Sequence, residues 1–316
     1  MPAQYTHQII AERTLEKLPE NIRDKITDYS AYAIGAQGGD VFYFLRVLDG
    51  KTQNLGKYLH NDDIYETFCS LYKAAKRHPE ALSYVAGYIT HYAVDIVFHP
   101  YVYGLTERMM GEDPSWRGRW HAYIESDLDS YFVRKYCKKP VNEYSYPVRR
   151  RDIDIRALYP LIGGVCREQG RRKFSYRSFC RSFSRFYTFE RLFLDKKLRR
   201  RGILNRVEKV LHIPHTFSVL CRRTDYDERC LNKSHKEWHN PSDPSFTSHE
   251  DADQLFERAE RECLRLIAAF FIGLEGDVPL SREDFGKGFL SGTDAGKPLV
   301  RPQKPKKAHR KAASQG

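Results

Sequence analysis

Apolar residues recur at near-helical spacing along much of the chain. Ile9, Ile10, Leu15 and Leu18 predict a helix over 8–18. Further helices are expected over 62–77 and 79–99, the second carried by Leu82, Val85, Ala86 and Ile89. Pro79 suits a first helical turn. Pro100 lacks a backbone donor, so that helix is expected to stop with His99 at its end. A loop carrying Gly111, Pro114 and Gly118 follows, and helix returns over 119–137. Ser248 with Asp251 reads as a helix start, and the helix after it is expected to reach about Phe271, before Gly273. Gly35 to Gly39 reads as a flexible loop leading to Asp40, and 212–246 as loop rich in Pro, Asn, Asp and Ser. No internal repeat and no β-type alternation stands out. The expectation is an all-α fold, a multi-helical single domain over 1–296 with a tail at 297–316.

Composition changes this picture little, but charge changes it more. The 316 residues are 41% hydrophobic and 13% aromatic, which suits a globular chain with a large core. A formal charge of +12 favours anionic partners: lipid surfaces, phosphoesters or nucleic acid. Residues 149–202 hold 14 Arg and 3 Lys against 2 Glu and 3 Asp, a local charge of +12. Aromatics are interleaved there, from Phe174 to Phe193. Such a stretch can dock on anionic membrane or track a nucleic-acid backbone. It can equally be a core helix or two with a solvated basic face. Residues 297–316 carry seven Lys or Arg, no acid and repeated Pro, and are expected to be disordered. The remaining residues therefore sum to −7. Seven cysteines without a C-x-x-C read as reduced thiols. The first residues lack a basic stretch followed by an apolar run, and no apolar stretch is long enough to span a bilayer. The expected location is cytoplasmic, at most peripheral to a membrane, with no transmembrane segment.

The candidate chemistry lies outside the basic stretch. His91, Asp95 and His99 stand four residues apart, and so do His121 and Glu125. On a helix that spacing puts side chains on one face, about a turn apart. Imidazole and carboxylate are ligand types that zinc favours. His7, Asp40 and His60 lie upstream. Among the other candidates, His235, Trp238 and His239 could approach a metal or line a cleft, but a packed loop with surface histidines is the simpler reading.

In chain order, Thr6-His7, Gly35 to Asp40, Gly56-x-x-x-His60, His91-x-x-x-Asp95, His99 and His121-x-x-x-Glu125 resemble the zinc-dependent phospholipase C family. Bacterial phosphatidylcholine-cleaving enzymes and the catalytic domain of clostridial alpha-toxin belong to that family. The resemblance implies a cluster of two to three zinc ions in a helical fold of the phospholipase C and zinc-nuclease type. It implies one site from Asp40, His60, His91 and Asp95, and a second from His99, His121 and Glu125. His7 and a bridging Asp95 would help form the third. The chain departs from the family pattern at three points. No Trp lies near the start to complete the third site, the Asp95-to-His99 spacing is short, and Gly39 stands where Pro often precedes the aspartate.

The function so implied is metal-dependent phosphodiester hydrolysis. A zinc-activated water would cleave a phospholipid to diacylglycerol and a phosphorylated head group, with Asp40 as ligand, as base for the water, or as both. A soluble phosphoester is a possible substrate as well. The alternatives are a zinc-dependent single-strand nuclease or nucleotidase, and a non-catalytic zinc-containing protein that binds membrane or nucleic acid.

Overall fold

The computed structural model describes residues 4–46, 55–61, 64–78, 81–116, 119–168 and 174–294. Pro79 and the basic tail at 297–316 lie outside them. The fold is all-α with one small sheet. In order the helices are α1 (Gln4–Lys17), α2 (Glu20–Arg23), α3 (Tyr29–Gly35), α4 (Leu55–Asn61), α5 (Ile64–Arg77), α6 (Leu82–Glu112) and α7 (Trp120–Cys137). Then come α8 (Ile155–Glu168), α9 (Tyr176–Phe193) and α10 (Arg200–Val210). The hairpin strands β1 (Trp238–Asn240) and β2 (Asp243–Ser248) precede α11 (Ala252–Gly276) and α12 (Arg282–Phe285).

Helix α6 is the axis of the molecule. It is buried on every side from Ser83 to Val102, as a helix with an apolar surface all round requires. Helices α3 and α11 pack along it, and α1, α7 and β1 cover the rest. A single apolar cluster runs from Tyr5 to Phe289.

The helix expected to stop at Pro100 does not stop there: α6 continues to Glu112 with Pro100 inside it. Pro100 cannot donate to the Ile96 carbonyl. Gly292, at φ +63°, fills the space beside that carbonyl. A Cβ at Gly292 would lie 2.5 Å from Ile96 O and 2.8 Å from Pro100 Cγ. The chain after α12 can therefore lie directly on α6.

Other boundaries also move. The Gly35–Gly39 stretch is the end of α3 followed by a 3-10 helix, Gly38–Arg46, rather than a loop. The stretch 212–246, read as loop, contains 3-10 turns at Ser218–Leu220 and Glu228–Leu231 and part of the hairpin. In that hairpin Trp238 pairs with Ser248 and His239 with Thr247. Three residues are too few to show an alternating pattern. The cap of α11 is Asp251 rather than Ser248. Asp251 accepts from Gln254 N at 2.9 Å, and its own N–H donates to Gln254 Oε1 at 3.0 Å. That helix passes Phe271 and ends at Gly276, because Gly273 is tolerated inside it.

The basic stretch folds into α8, α9 and the start of α10. Phe179, Phe183 and Phe186 share one face of α9 and are buried. Phe42 of the 3-10 helix packs against Phe179 and Phe183, with ring centroids at 5.7 and 6.1 Å. These aromatics belong to the core, and Arg177 and Arg181 face water. No helix among the described residues is long and apolar enough to cross a membrane.

Candidate metal centre

Five elements bring the eight predicted ligand residues together. His7 comes from α1, Asp40 from the 3-10 helix and His60 from α4. His91, Asp95 and His99 lie on one face of α6, and His121 and Glu125 on α7. Three groups form: His7 with His91 and Asp95, Asp40 with His60 and His91, and His99 with His121 and Glu125. All eight are buried except His121, which is 26% exposed at its side chain and marks where the cluster meets solvent.

The hydrogen bonds on the far side of two rings fix which nitrogen faces inward. His60 Nδ1 donates to the Gly56 carbonyl at 2.6 Å, and His99 Nδ1 donates to the Phe289 carbonyl at 2.9 Å. A carbonyl can only accept, so these Nδ1 atoms carry protons. The His60 Nε2 lone pair then faces His91 Nε2 at 3.2 Å, Asp40 Oδ1 at 3.3 Å and Asp95 Oδ2 at 3.6 Å. Asp95 Oδ1 lies 3.2 Å from His7 Nε2 and 3.4 Å from His99 Nδ1. Glu125 Oε1 lies 3.2 Å from His121 Nε2 and 3.6 Å from His99 Nε2.

Zinc fits this donor set. A tetrahedral ion with bonds of about 2.0–2.1 Å separates its ligand atoms by about 3.3 Å, close to the spacings seen here. Asp95 Oδ2 is buried without a hydrogen-bond partner, and so are the Nδ1 atoms of His7, His91 and His121. A buried carboxylate oxygen without a partner is costly, and a cation removes that cost.

The electrostatics agree. Burial alone would raise Asp95 and Glu125, but the neighbouring histidines outweigh it and hold both below the usual carboxylate range. His60 and His91 also favour the ionised form of Asp40 against its burial. Burial pushes His91 down to about 3, so its ring is neutral. Burial also pulls on His99, but Asp95 and Glu125 prevail and raise it to about 9.

Some supporting residues left no signal in the sequence. The Phe289 ring packs 5.1 Å from that of His60 and 5.8 Å from that of His91, while its carbonyl holds His99. Asp129 of α7 accepts from Thr6 N and Thr6 Oγ1, both at 2.8 Å, and from Arg222 Nε at 2.7 Å. Arg222 also covers the Tyr5 ring at 3.8 Å. This buried set fixes the first turn of α1 and hence His7. Two glycines of the 35–39 stretch make room for the rings. Gly38 has φ +48° and a Cβ there would meet His91 Cδ2 at 2.0 Å, while one at Gly39 would meet His60 Cε1 at 2.6 Å.

The remaining histidine candidates lie elsewhere. Trp238 is buried beside Tyr101 and Phe246, with Nε1 donating to Glu250 O at 3.0 Å. His239 pairs with Glu107 at 3.1 Å, and His235 Nδ1 lies 3.1 Å from the His249 carbonyl. None of them joins the cluster.

The zinc dependent phospholipase C family matches residues 6–175. The match spans more than half of the chain and every residue of the cluster, and the chain belongs to that family. The family carries hydrolase chemistry of the metal-dependent phospholipase C type, and three buried His, Asp and Glu groups of this chain can hold metal ions. Neither a comparison with curated proteins nor one with solved structures gives a match.

Proposed function

We propose that the chain is a zinc-dependent phosphodiester hydrolase that cleaves a phospholipid on the glycerol side of phosphorus, yielding diacylglycerol and a phosphorylated head group. The convergence of His60 Nε2, His91 Nε2, Asp40 Oδ1 and Asp95 Oδ2 carries this reading. Asp40, His60, His91 and Asp95 would hold one ion, and His99, His121 and Glu125 another. His7 would add a third position through the shared Asp95. Zinc, when bound, polarises phosphoryl oxygens and makes water acidic enough to attack near neutral pH.

The chain's own groups do the rest. Asp40, only 6% exposed, accepts a hydrogen bond from the attacking water and orients it. The Gly56 and Phe289 carbonyls hold His60 and His99 in one tautomer each. Phe289, Tyr88 and Tyr92 wall off the inner side of the cluster, so the substrate phosphate enters from the side of His121.

The test is elemental analysis of purified protein together with hydrolysis of a soluble phosphocholine ester before and after chelation. Bound zinc with chelator-sensitive turnover is expected. Bound zinc with no turnover on this ester or on phospholipid, but cleavage of single-stranded nucleic acid, would replace the reading with a nuclease. Bound zinc without any turnover would leave a binding protein.

A further inference from the structure

Helix α10 lies beyond the segment that matches the family, and its outer face is unlike that of a water-facing helix. Ile203, Val207, Val210 and the following Leu211 are 57, 48, 76 and 59% exposed. Positions 203, 207 and 210 fall on one helical face. Ile213 and Phe217 extend the patch into the next turn, and Leu192 and Leu198 extend it before the helix. An apolar groove of about 380 Å³ lies alongside, between α9 and α10, lined by Phe189, Phe193, Leu204 and Phe217 among others.

Cations border this patch. Lys196, Lys197, Arg199, Arg206 and Lys209 are all exposed. Residues 191–217 contain two acids, Asp195 and Glu208, and both are buried. Asp195 accepts from Arg199 N and Arg201 N at 3.0 and 2.9 Å, at the start of α10. Glu208 accepts from Ser218 N at 2.9 Å and Ser218 Oγ at 2.6 Å. Arg200 donates to the last carbonyls of α9, at Arg191 and Leu192, both at 2.8 Å. The helix is thus tied down from inside and presents aliphatic side chains with an uncompensated positive rim.

We propose that α10 and the turn after it form a docking surface for an anionic phospholipid bilayer. Ile203, Val207, Val210 and Leu211 enter the headgroup boundary, and the surrounding Lys and Arg meet lipid phosphates. Charge separates this occupant from the others. The tail at 297–316 and a second copy of the face are both basic and would repel it. Nucleic acid would match the charge, but stacking along a strand needs several exposed aromatics, and this patch offers Phe217 beside an otherwise aliphatic face.

The turn after α10 touches the segment that leads into α7. His215, just past α10, stacks on Trp116 with centroids at 3.8 Å, and Arg119 Nη2 donates to Thr216 Oγ1 at 3.3 Å. His121 is two residues beyond Arg119. Docking would hold the chain at a lipid surface, which serves catalysis only on the hydrolase reading, whereas docking itself does not rest on that reading.

The test uses the full chain and vesicles of phosphatidylcholine mixed with phosphatidylserine, against phosphatidylcholine alone. Cosedimentation is expected with the mixed vesicles. Arg206→Gln with Lys209→Gln should weaken it about thirtyfold, and Ile203→Ser with Val207→Ser about tenfold. Both double variants should keep wild-type zinc content and wild-type hydrolysis of a soluble phosphoester if the chain is that enzyme. Loss of vesicle binding in the variants of a chain that hydrolyses nothing would refute the enzyme and uphold the docking face. Unchanged vesicle binding, or equal binding to both vesicle types, would overturn the docking face. So would a wild-type dimer that both variants dissolve, without vesicle binding, since a second copy would then be the occupant. Binding of single-stranded RNA in place of vesicles, weakened by the same substitutions, would overturn it too.

Discussion

Arg222→Met tests how His7 is held at the cluster. The substitution keeps much of the side chain's bulk but removes the cation paired with Asp129, which is fully buried. Breaking a buried ion pair by deleting one partner typically costs ~3–5 kcal/mol. Asp129 would retain both Thr6 hydrogen bonds, so the lower end, about 3 kcal/mol, is expected. The guanidinium on Tyr5 and its 3.3 Å contact to Gln4 Oε1 would go as well. With a urea slope of about 3 kcal/mol/M, suited to a large chain, the midpoint of chelated protein should fall by about 1 M.

The pH dependence has a definite sign. Burial already lifts Asp129 above the usual carboxylate range, with Arg222 opposing it. Without Arg222 the folded-state pKa rises further. A carboxylate with a raised folded pKa costs nothing while both states are protonated, and its penalty grows as pH climbs through the folded value. Urea denaturation followed by circular dichroism should therefore show a smaller loss at about pH 5 than at about pH 7.5. Zinc content should also fall, since the first turn of α1 carries His7. A midpoint within about 0.3 M of wild type at both pH values would refute this account of how α1 is anchored.

Three further outcomes are expected. Asp95→Asn removes the carboxylate shared by the His7, His60, His91 and His99 nitrogens, and should lower zinc affinity by more than the ~10–100-fold lost with outer ligands. Equilibrium dialysis measures it, and phosphodiester hydrolysis at wild-type rate would remove Asp95 from the mechanism. Gly38→Ala puts a side chain at φ +48° against the His91 ring and should cost about 1–3 kcal/mol, read by thermal melting, with less bound zinc. Zinc uptake near pH 7.5 should release a proton from His99, which is raised to about 9 in the metal-free chain. Metal needs the neutral ring, so affinity should climb with pH up to about 9 and then level off; calorimetry in buffers of different ionisation enthalpy would show the proton.

The convergence of the candidate ligands was partly legible because much of it is local. His91, Asp95 and His99 need only a helix to share a face, and so do His121 and Glu125. The order of His7, Asp40 and His60 ahead of them carried the family resemblance. The helical period was legible too, in the recurring apolar residues of α1 and of the first half of α6. Pro100 misled because a rule about one residue ignores what packs on it. Gly292, far away in sequence, accommodates the carbonyl that Pro100 leaves without a donor. The Phe residues of α9 left two readings open, and packing against Phe42 turned them inward.

The sequence by itself determined the chemical identity of the candidate donors, the helices that carry most of them, and the placement of positive charge. Those follow from side-chain chemistry and from a backbone period that repeats every 3.6 residues. Tertiary structure alone decided that α1, α4 and the 3-10 helix meet α6 at one point, and that His60 and His99 present Nε2 to the cluster. It also decided that Arg222 and Asp129 hold His7 in place, and that both acids beside α10 turn inward. Contacts between residues distant in sequence depend on how whole helices pack and which polar groups that packing leaves to be satisfied. No spacing rule encodes that.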